Sequence, residues 1–215
     1  MKKYTDSQLQ DNYNKFLSAL EKSFGHNAER LDNLNHMYSM GEMGESLILA
    51  PASGNREYHN AYEGGYIDHV MNVARNSLRL KKIYSDGGGT IDFTDEELLF
   101  AAFHHDLGKL GIKGQPYYLP NDSQWHIDNR GEIYKYNEKL PFMTVTDRAF
   151  FLLNEYGIQY NQNEWFGLKL ADGMYEEGNE TYLRNYIPRK FLKQNIQYIV
   201  HWADHMSTAI ERDNR

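Results

Sequence analysis

Two histidines and an aspartate stand side by side where a hydrophobic run ends. Residues 103 to 111 read FHHDLGKLG, so His104, His105 and Asp106 precede a glycine and the cation of Lys109. The chain has no cysteine, which excludes thiolate ligands. Imidazole and carboxylate are then the groups expected to bind a divalent metal. The segment therefore raises the hypothesis of a metal site.

Three predicted helices each carry a possible ligand for such a site. His69 lies early in one helix, His105 and Asp106 lie late in the next, and Asp204 lies inside the last. Adjacent residues of a helix point about 100° apart, so the doublet can share an ion only near the end of its helix. Gly108 is predicted to end that helix, which permits this geometry.

Two histidines and two carboxylates leave coordination positions open for water and substrate. A metal bound in this way lowers the pKa of its bound water and polarises a phosphoryl oxygen. Lys109, three residues after Asp106, adds a compact positive charge for a phosphate. We therefore expect Asp106 and Lys109 to be catalytic, in metal-assisted hydrolysis of a phosphoester or phosphoanhydride.

Other histidines are candidates for supporting roles. His59, in the loop before His69, and His126, beside Trp125, are predicted to contact a substrate phosphate. His104 is expected to be structural. His201 is three residues before Asp204, and could support that carboxylate from outside the ligand set.

Helical periodicity predicts the elements that must position these residues. The pattern indicates helices at 7 to 24, about 27 to 40, from Ile67 to the break at SDGGGT, from the capping box at Thr94 through the doublet, at 147 to 156, at 163 to 170, and after Pro188. The last helix is expected to bury Phe191, Ile196, Ile199, Val200, Ala203, Met206 and Ile210. An all-α bundle follows from this reading.

Residues 112 to 143 lack such a period and are rich in turn formers and tyrosine. They are predicted to form a long ordered loop, with room for a short hairpin. The tyrosines between 117 and 136 are compatible with stacking on a base and equally with packing of the loop onto the bundle. The sequence leaves both alternatives open.

Composition limits the function classes. The 215 residues suit one domain or a domain with an appendage, and 23 basic against 30 acidic side chains give a net charge of −7, which does not favour binding to duplex nucleic acid. No membrane span or signal peptide is apparent in the sequence, so a cytoplasmic protein is expected. The oligomeric state cannot be predicted.

The ordered pattern of His69, His105-Asp106 and Asp204, with LGK after the doublet, resembles the HD-domain metal-dependent phosphohydrolase superfamily over about residues 58 to 210. The stretch YHNAYEGGYIDH, at 58 to 69, is similar to the corresponding segment of a branch that includes HD-type 3′ to 5′ exoribonucleases. It is more similar to small HD proteins of large tailed phages, which the segments YYLPNDSQWH, GEIYKYN, LPFMTVTDRAFFLL and DGMYEEGN also resemble.

The resemblance implies an HD-domain bundle at 51–215, preceded by an N-terminal helical extension at 1–50 and containing the long loop insertion. It implies one divalent ion per chain, with Mn, Mg, Co, Ni, Fe and Zn all possible, and a small nucleotide or nucleotide-derived substrate. A phage-encoded chain would act in the cytoplasm of the host cell. Relatives tend to have histidine where this chain has Ala171, before Asp172 and Gly173, which argues against a second metal.

Three alternatives stay open. They are an HD-type 3′ to 5′ exoribonuclease, a di-iron oxygenase on the same scaffold, and a non-catalytic module that binds a nucleotide. Mononucleotide release from single-stranded RNA would identify the first, and two irons per chain would identify the second. Absence of phosphate release across a nucleotide panel would favour the third.

Overall fold

The computed structural model describes residues 2–184 and 191–214 and is mostly helical, which confirms the all-α class. The helices are α1 Asp6–Phe24, α2 Ala28–Met37, α3 Gly44–Leu49, α4 Gly65–Asp86, α5 Asp95–His104, α6 Gln124–Arg130, α7 Val145–Glu155, α8 Gln162–Lys169, α9 Glu180–Leu183 and α10 Ile196–Asp213. Strands β1 Tyr118–Pro120 and β2 Tyr134–Tyr136 form a small sheet. Short 3₁₀ turns occupy Leu107–Leu110, Gly173–Tyr175 and Glu177–Asn179.

Four of these helices form a bundle. Helix α10 packs along α4, α4 packs against α5, and α8 contacts both α5 and α10. The contact surfaces are apolar side chains at helical spacing, such as Val70 and Val73 of α4 and Ile199 and Val200 of α10, all fully buried. The bundle fixes the relative positions of the three elements that were predicted to carry ligands.

The N-terminal helices belong to the same hydrophobic core. Phe16 of α1 contacts Tyr38 edge-on at 5.1 Å and Phe103 of α5 at 5.8 Å between ring centroids. Phe24 contacts Phe100 in the same way at 6.0 Å. Residues on both sides of the predicted division at 50/51 therefore share one continuous core.

Helix starts follow the sequence closely. The Thr94 hydroxyl accepts from the Glu97 backbone N–H, and the Glu97 carboxylate accepts from the Thr94 N–H, which confirms the predicted capping box. Thr5 and Asn161 make equivalent boxes at α1 and α8. In the described part of the chain, no helix combines the length and apolar character needed to cross a membrane.

The start of the last helix differs from the prediction. Helix α10 begins at Ile196, whereas Pro188 lies outside the described residues. Phe191 precedes the helix and its side chain is 64% exposed, so its predicted place on the buried face is wrong. Ile210 is also largely exposed, whereas Glu211, the next residue of α10, is buried, so the inner face of the last turn passes through Glu211.

The insertion at 112 to 143 contains the expected hairpin. Strands β1 and β2 pair antiparallel, with Tyr118 opposite Tyr136 and Pro120 opposite Tyr134. Helix α6 lies between the strands and was not predicted. Its seven residues include none that is buried, so the sequence there has no apolar period to reveal a helix. The cap that Ser123 provides and the left-handed Gly131 define its two ends.

Candidate metal centre

The four predicted metal ligands converge at the junction of three helices. His69 lies at the start of the second turn of α4, and Asp204 lies in the middle of α10. His105 and Asp106 follow directly on the last residue of α5. Because α10 packs on α4 and α4 on α5, the four side chains face one another across the bundle.

The helix that carries the doublet ends earlier than predicted. Helix α5 stops at His104, and Gly108 lies inside the 3₁₀ turn that follows instead of ending the helix. A Cβ added at Gly108 would lie 2.0 Å from the backbone oxygen of Val145. Glycine is therefore needed there because the backbone at the start of α7 packs directly against the turn. The early end frees His105 and Asp106 from the fixed helical angle between neighbours.

The donor atoms of the four side chains lie within a few ångströms of each other. The His69 Nε2 atom is 3.1 Å from Asp204 Oδ1 and 3.6 Å from Asp106 Oδ2. The His105 Nε2 atom is 3.6 Å from Asp106 Oδ2 and 3.7 Å from Asp204 Oδ1. Each imidazole Nε2 atom thus lies within 4 Å of an oxygen of both carboxylates.

Each histidine is oriented through its other ring nitrogen. The Nδ1–H of His69 donates to Glu211 Oε2 at 2.9 Å, and the Nδ1–H of His105 donates to the Ala102 carbonyl at 2.9 Å. With Nδ1 bound in this way, Nε2 is the nitrogen of each ring that would bind a metal. Asn72 donates to the second Glu211 oxygen at 2.7 Å, so the carboxylate is itself held in place.

Glu211 was missed by the sequence reasoning, although a signal exists. It lies seven residues after Asp204, two helical turns on, and hence on the same face of α10. Its side chain is buried together with His69. A carboxylate at that spacing from a proposed ligand could have been identified as a partner for a ligand histidine.

The residues present fit a divalent ion. The Nε2 atoms of His69 and His105 are both buried, and neither makes a hydrogen bond with any described residue, despite the short distances to the carboxylates. Leaving a buried polar atom without a partner costs about 1–3 kcal/mol. A metal ion would satisfy both nitrogens, and His69, His105 and Asp106 form a group whose donor atoms are close enough to hold one.

The electrostatics of the cluster keep its carboxylates ionised. Burial raises the pKa of Asp106, but Lys109, His105 and His69 outweigh it and lower that pKa. Burial likewise opposes ionisation of Asp204, yet the two histidines hold its pKa well below the ordinary value. Burial lowers the pKa of His69, but Asp204 and Glu211 raise it to about 10. Without a metal, His69 keeps a proton that a bound ion must displace.

Lys109 lies directly beside the cluster. Its Nζ donates to Asp106 Oδ2 at 2.7 Å, and its side chain is mostly buried. Burial lowers the pKa of Lys109, but the negative charge of Asp106 more than compensates and raises it. The lysine is therefore a fixed cation that also lines a cavity of ≈ 280 Å³ extending toward the hairpin.

His59 lies against the cluster, and its predicted contact with substrate stays a prediction. Its ring centroid is 4.5 Å from that of His69, and its buried Nε2 has no hydrogen-bond partner among the described residues. Burial, together with the charges of His69 and Lys109, lowers the pKa of His59 to about 3. A neutral imidazole with a free nitrogen therefore faces the site.

His126 and His104 lie outside the cluster. The ring of His126, in α6, contacts Trp125 at 5.2 Å, and no contact within residues 2–184 and 191–214 joins it to the ligands. Its predicted contact with substrate stays a prediction. His104 is fully buried against Phe100, whose carbonyl accepts from its Nδ1–H, which agrees with the structural role expected for it.

Ala171 stands where relatives tend to have histidine, and its backbone contacts another histidine, His201. Ala171 is buried, and its carbonyl accepts from the Nδ1–H of His201 at 2.7 Å. The Nδ1–H of His201 is thus bound to Ala171, and support of Asp204 by His201 stays a prediction. Asp172 lies near the cluster, where burial and the charges of Asp106 and Asp204 raise its pKa.

Comparison of the chain with protein-family models, with curated proteins and with solved structures finds no match in any of the three.

Proposed function

We propose that the chain is a metal-dependent phosphohydrolase of the HD type. The observation that supports this proposal is the pair of buried Nε2 atoms of His69 and His105. Neither has a hydrogen-bond partner among the described residues, and both face the ionised carboxylates of Asp106 and Asp204. The buried ammonium of Lys109 beside them suits the negative charge of a phosphate. Together these groups bind a cation and an anion side by side.

His69, His105, Asp106 and Asp204 would hold the ion, one per chain. When bound, a divalent ion here would lower the pKa of a coordinated water and polarise a phosphoryl oxygen. Nitrogen and oxygen donors suit Mn, Mg, Co, Ni, Fe or Zn. Glu211 keeps the His69 ring in the orientation that presents Nε2 to the ion.

The remaining residues act on the substrate. Lys109 stabilises the phosphate oxygens while it neutralises Asp106. His59, neutral and with a free nitrogen, hydrogen-bonds the same phosphate or the leaving oxygen. Hydrolysis forms a bond between a water oxygen and phosphorus and breaks the phosphorus bond to the leaving group, which receives the proton that water loses.

The proposed substrate is a nucleotide or a nucleotide-derived compound, and this part of the proposal rests on the resemblance to the HD superfamily. The chain has a net charge of −7, which favours a small substrate over a long polyanion. The ligand cluster lies among helices of the bundle, where three of its four ligands are nearly inaccessible to solvent.

The experiment is metal removal and reloading. Chelator-stripped protein is reloaded with each of Mn, Mg, Co, Ni, Fe and Zn. Phosphate release is followed with a panel of nucleotides, and p-nitrophenol release is followed with bis(p-nitrophenyl) phosphate. We expect activity with at least one ion and a loss on the order of a thousandfold in kcat/KM for Asp106→Asn and His105→Ala, since a catalytic ion contributes several kcal/mol.

The matched control is His26→Ala. The His26 side chain is largely exposed and pairs with Glu96, at the opposite end of α5 from the doublet, so activity should be retained. Two irons per chain would replace the proposal with the oxygenase alternative, and mononucleotide release from single-stranded RNA would replace it with the exoribonuclease. No phosphate release with any ion would leave a binding module.

A further inference from the structure

The cavity beside Lys109 adjoins the candidate metal centre. The cavity of ≈ 280 Å³ beside Lys109 is bounded on one side by the hairpin, whose tyrosines Tyr117, Tyr118 and Tyr134 line it. Its volume is slightly below the roughly 300–1,000 Å³ usual for small-molecule sites. It therefore fits one small ligand and excludes a chain of nucleotides.

The tyrosines form an aromatic surface with a defined register. Tyr118 is opposite Tyr136 and Pro120 is opposite Tyr134, so these four side chains share one face of the hairpin. The rings of Tyr118 and Tyr136 are stacked, 5.7 Å apart and inclined by 25°, and Tyr117 packs edge-on against Tyr118 at 4.9 Å. Such fixed rings offer flat surface at low entropic cost.

The aromatic surface is held against the rest of the protein. A Cβ at Gly54 would lie 3.1 Å from the Tyr118 ring and 3.2 Å from the Tyr134 carbonyl oxygen. The Gly54 carbonyl accepts from the Tyr134 backbone N–H at 3.0 Å. On the other side, the guanidinium of Arg148 lies 5.1 Å from the centre of the Tyr117 ring. These contacts fix the tyrosines relative to Lys109.

The charges around the cavity are unequal. Lys109 is the inner cation, and Glu42, Glu45 and Glu63 lie along the same cavity. Lys113 pairs with Glu42, so the negative rim consists of Glu45 and Glu63. Glu45 and Glu63 are exposed. A single phosphate can reach Lys109, but each additional phosphate directed outward would meet this negative rim.

We propose that the tyrosine-lined cavity is the subsite for the aromatic group of a phosphomonoester of nucleoside size, with its one phosphate at Lys109 and the metal centre. This inference rests on the proposed function and narrows its substrate class to monoesters such as nucleoside monophosphates. The hydrolysis forms the bond from water oxygen to phosphorus, breaks the ester bond and protonates the leaving alcohol, so the products are nucleoside and inorganic phosphate.

The test compares two substrates that differ only in the base. Adenosine 5′-monophosphate and ribose 5-phosphate carry the same phosphate and sugar, and we expect kcat/KM to be roughly tenfold or more higher for the nucleotide, the scale of one base stacked on an aromatic ring. Tyr118→Leu should lower kcat/KM for the nucleotide by about the same factor and leave that for ribose 5-phosphate unchanged. Tyr118→Phe should retain the preference.

Two further variants distinguish loss of the aromatic ring from loss of folding. Tyr134 also lines the cavity, so Tyr134→Leu provides a second removal of an aromatic ring if Tyr118→Leu does not fold. Tyr175→Leu is the matched control, because Tyr175 is 80% exposed and lies outside the cavity. Equal kcat/KM for the two substrates, or equal losses for both in Tyr118→Leu, would overturn the subsite. So would a triphosphate that is hydrolysed as well as the monophosphate.

A binding measurement separates this inference from the proposed function. Calorimetry with uncharged adenosine and metal-stripped protein reports on the cavity without any hydrolysis. Adenosine binding that Tyr118→Leu weakens roughly tenfold supports the subsite even if no ion restores phosphate release. Hydrolysis of bis(p-nitrophenyl) phosphate without any adenosine binding would support the function and remove the subsite.

Discussion

The ligand cluster and the tyrosine hairpin lie side by side, but they are held by different forces. In the cluster, residues come from three helices of a shared core, and both ligand histidines are oriented by hydrogen bonds to Glu211 and Ala102. The hairpin has two strands of three residues each, stabilised by ring contacts and by turns. The proposed chemistry would thus rest on the bundle, and the proposed recognition of the aromatic group would rest on the hairpin.

Glycine-to-alanine substitutions in the two regions should lower the free energy of unfolding by different amounts. Gly108→Ala should lower it more. Its Cβ would meet the Val145 backbone oxygen at 2.0 Å, so we expect a destabilisation of about 3 kcal/mol or more, the upper end of overpacking. Chemical denaturation measures the free energy of unfolding. Metal affinity should fall as well, because the turn positions Asp106.

The comparison variant is Gly114→Ala in the insertion. Gly114 has φ +71° and no atom within 4 Å of an added Cβ, so only left-handed strain of about 1–2 kcal/mol is expected. Equal losses of stability in the two variants would show that the turn at Gly108 adjusts easily. The bundle would then be no more rigid than the hairpin.

Much of the bundle could be predicted because its signals are local. The Thr94 capping box and the apolar period of α4 and α10 need only neighbouring residues, and they placed His69, the doublet and Asp204 on three helices. The end of α5 could not be predicted, since it depends on contact of Gly108 with α7, 37 residues away in sequence. The spacing of Glu211 from Asp204 marks it as a residue on the same face of α10, but its contact with His69 depends on how α4 and α10 pack.

The orientation of His69 provides the next test of the bundle. Glu211→Ala removes the acceptor for its Nδ1–H, and we expect metal affinity to fall by roughly 10–100-fold, as is usual for partners of ligand histidines. Competition with a chelating dye measures the dissociation constant. Glu211→Gln keeps an acceptor oxygen and should lose less.

Asp213→Ala is the control for that variant, because Asp213 is exposed on the same helix. If Asp213→Ala weakens metal binding as much as Glu211→Ala, the effect comes from overall charge and not from the orientation of the ring. Unchanged affinity in Glu211→Ala would mean that burial alone orients His69.

The smallest expected effect lies at the far side of the bundle, where Glu164 of α8 accepts from Arg30 of α2 at 2.7 Å. Burial raises the pKa of Glu164, and the opposing contribution of Arg30 does not cancel it. The folded chain therefore binds this proton more tightly than the unfolded chain, so its contribution to stability is present at low pH. That contribution is lost as pH rises from the ordinary glutamate pKa through the raised one.

Glu164→Gln should remove that contribution, so the difference in unfolding free energy between wild type and variant should change with pH only in that window. One group contributes at most about 1.4 kcal/mol per pH unit, and denaturant titrations at several pH values can resolve such a slope. A difference that stays constant across the window would mean that Arg30 fully compensates the burial of the carboxylate. The carboxylate of Glu164 would then stay ionised and paired with Arg30 throughout that window.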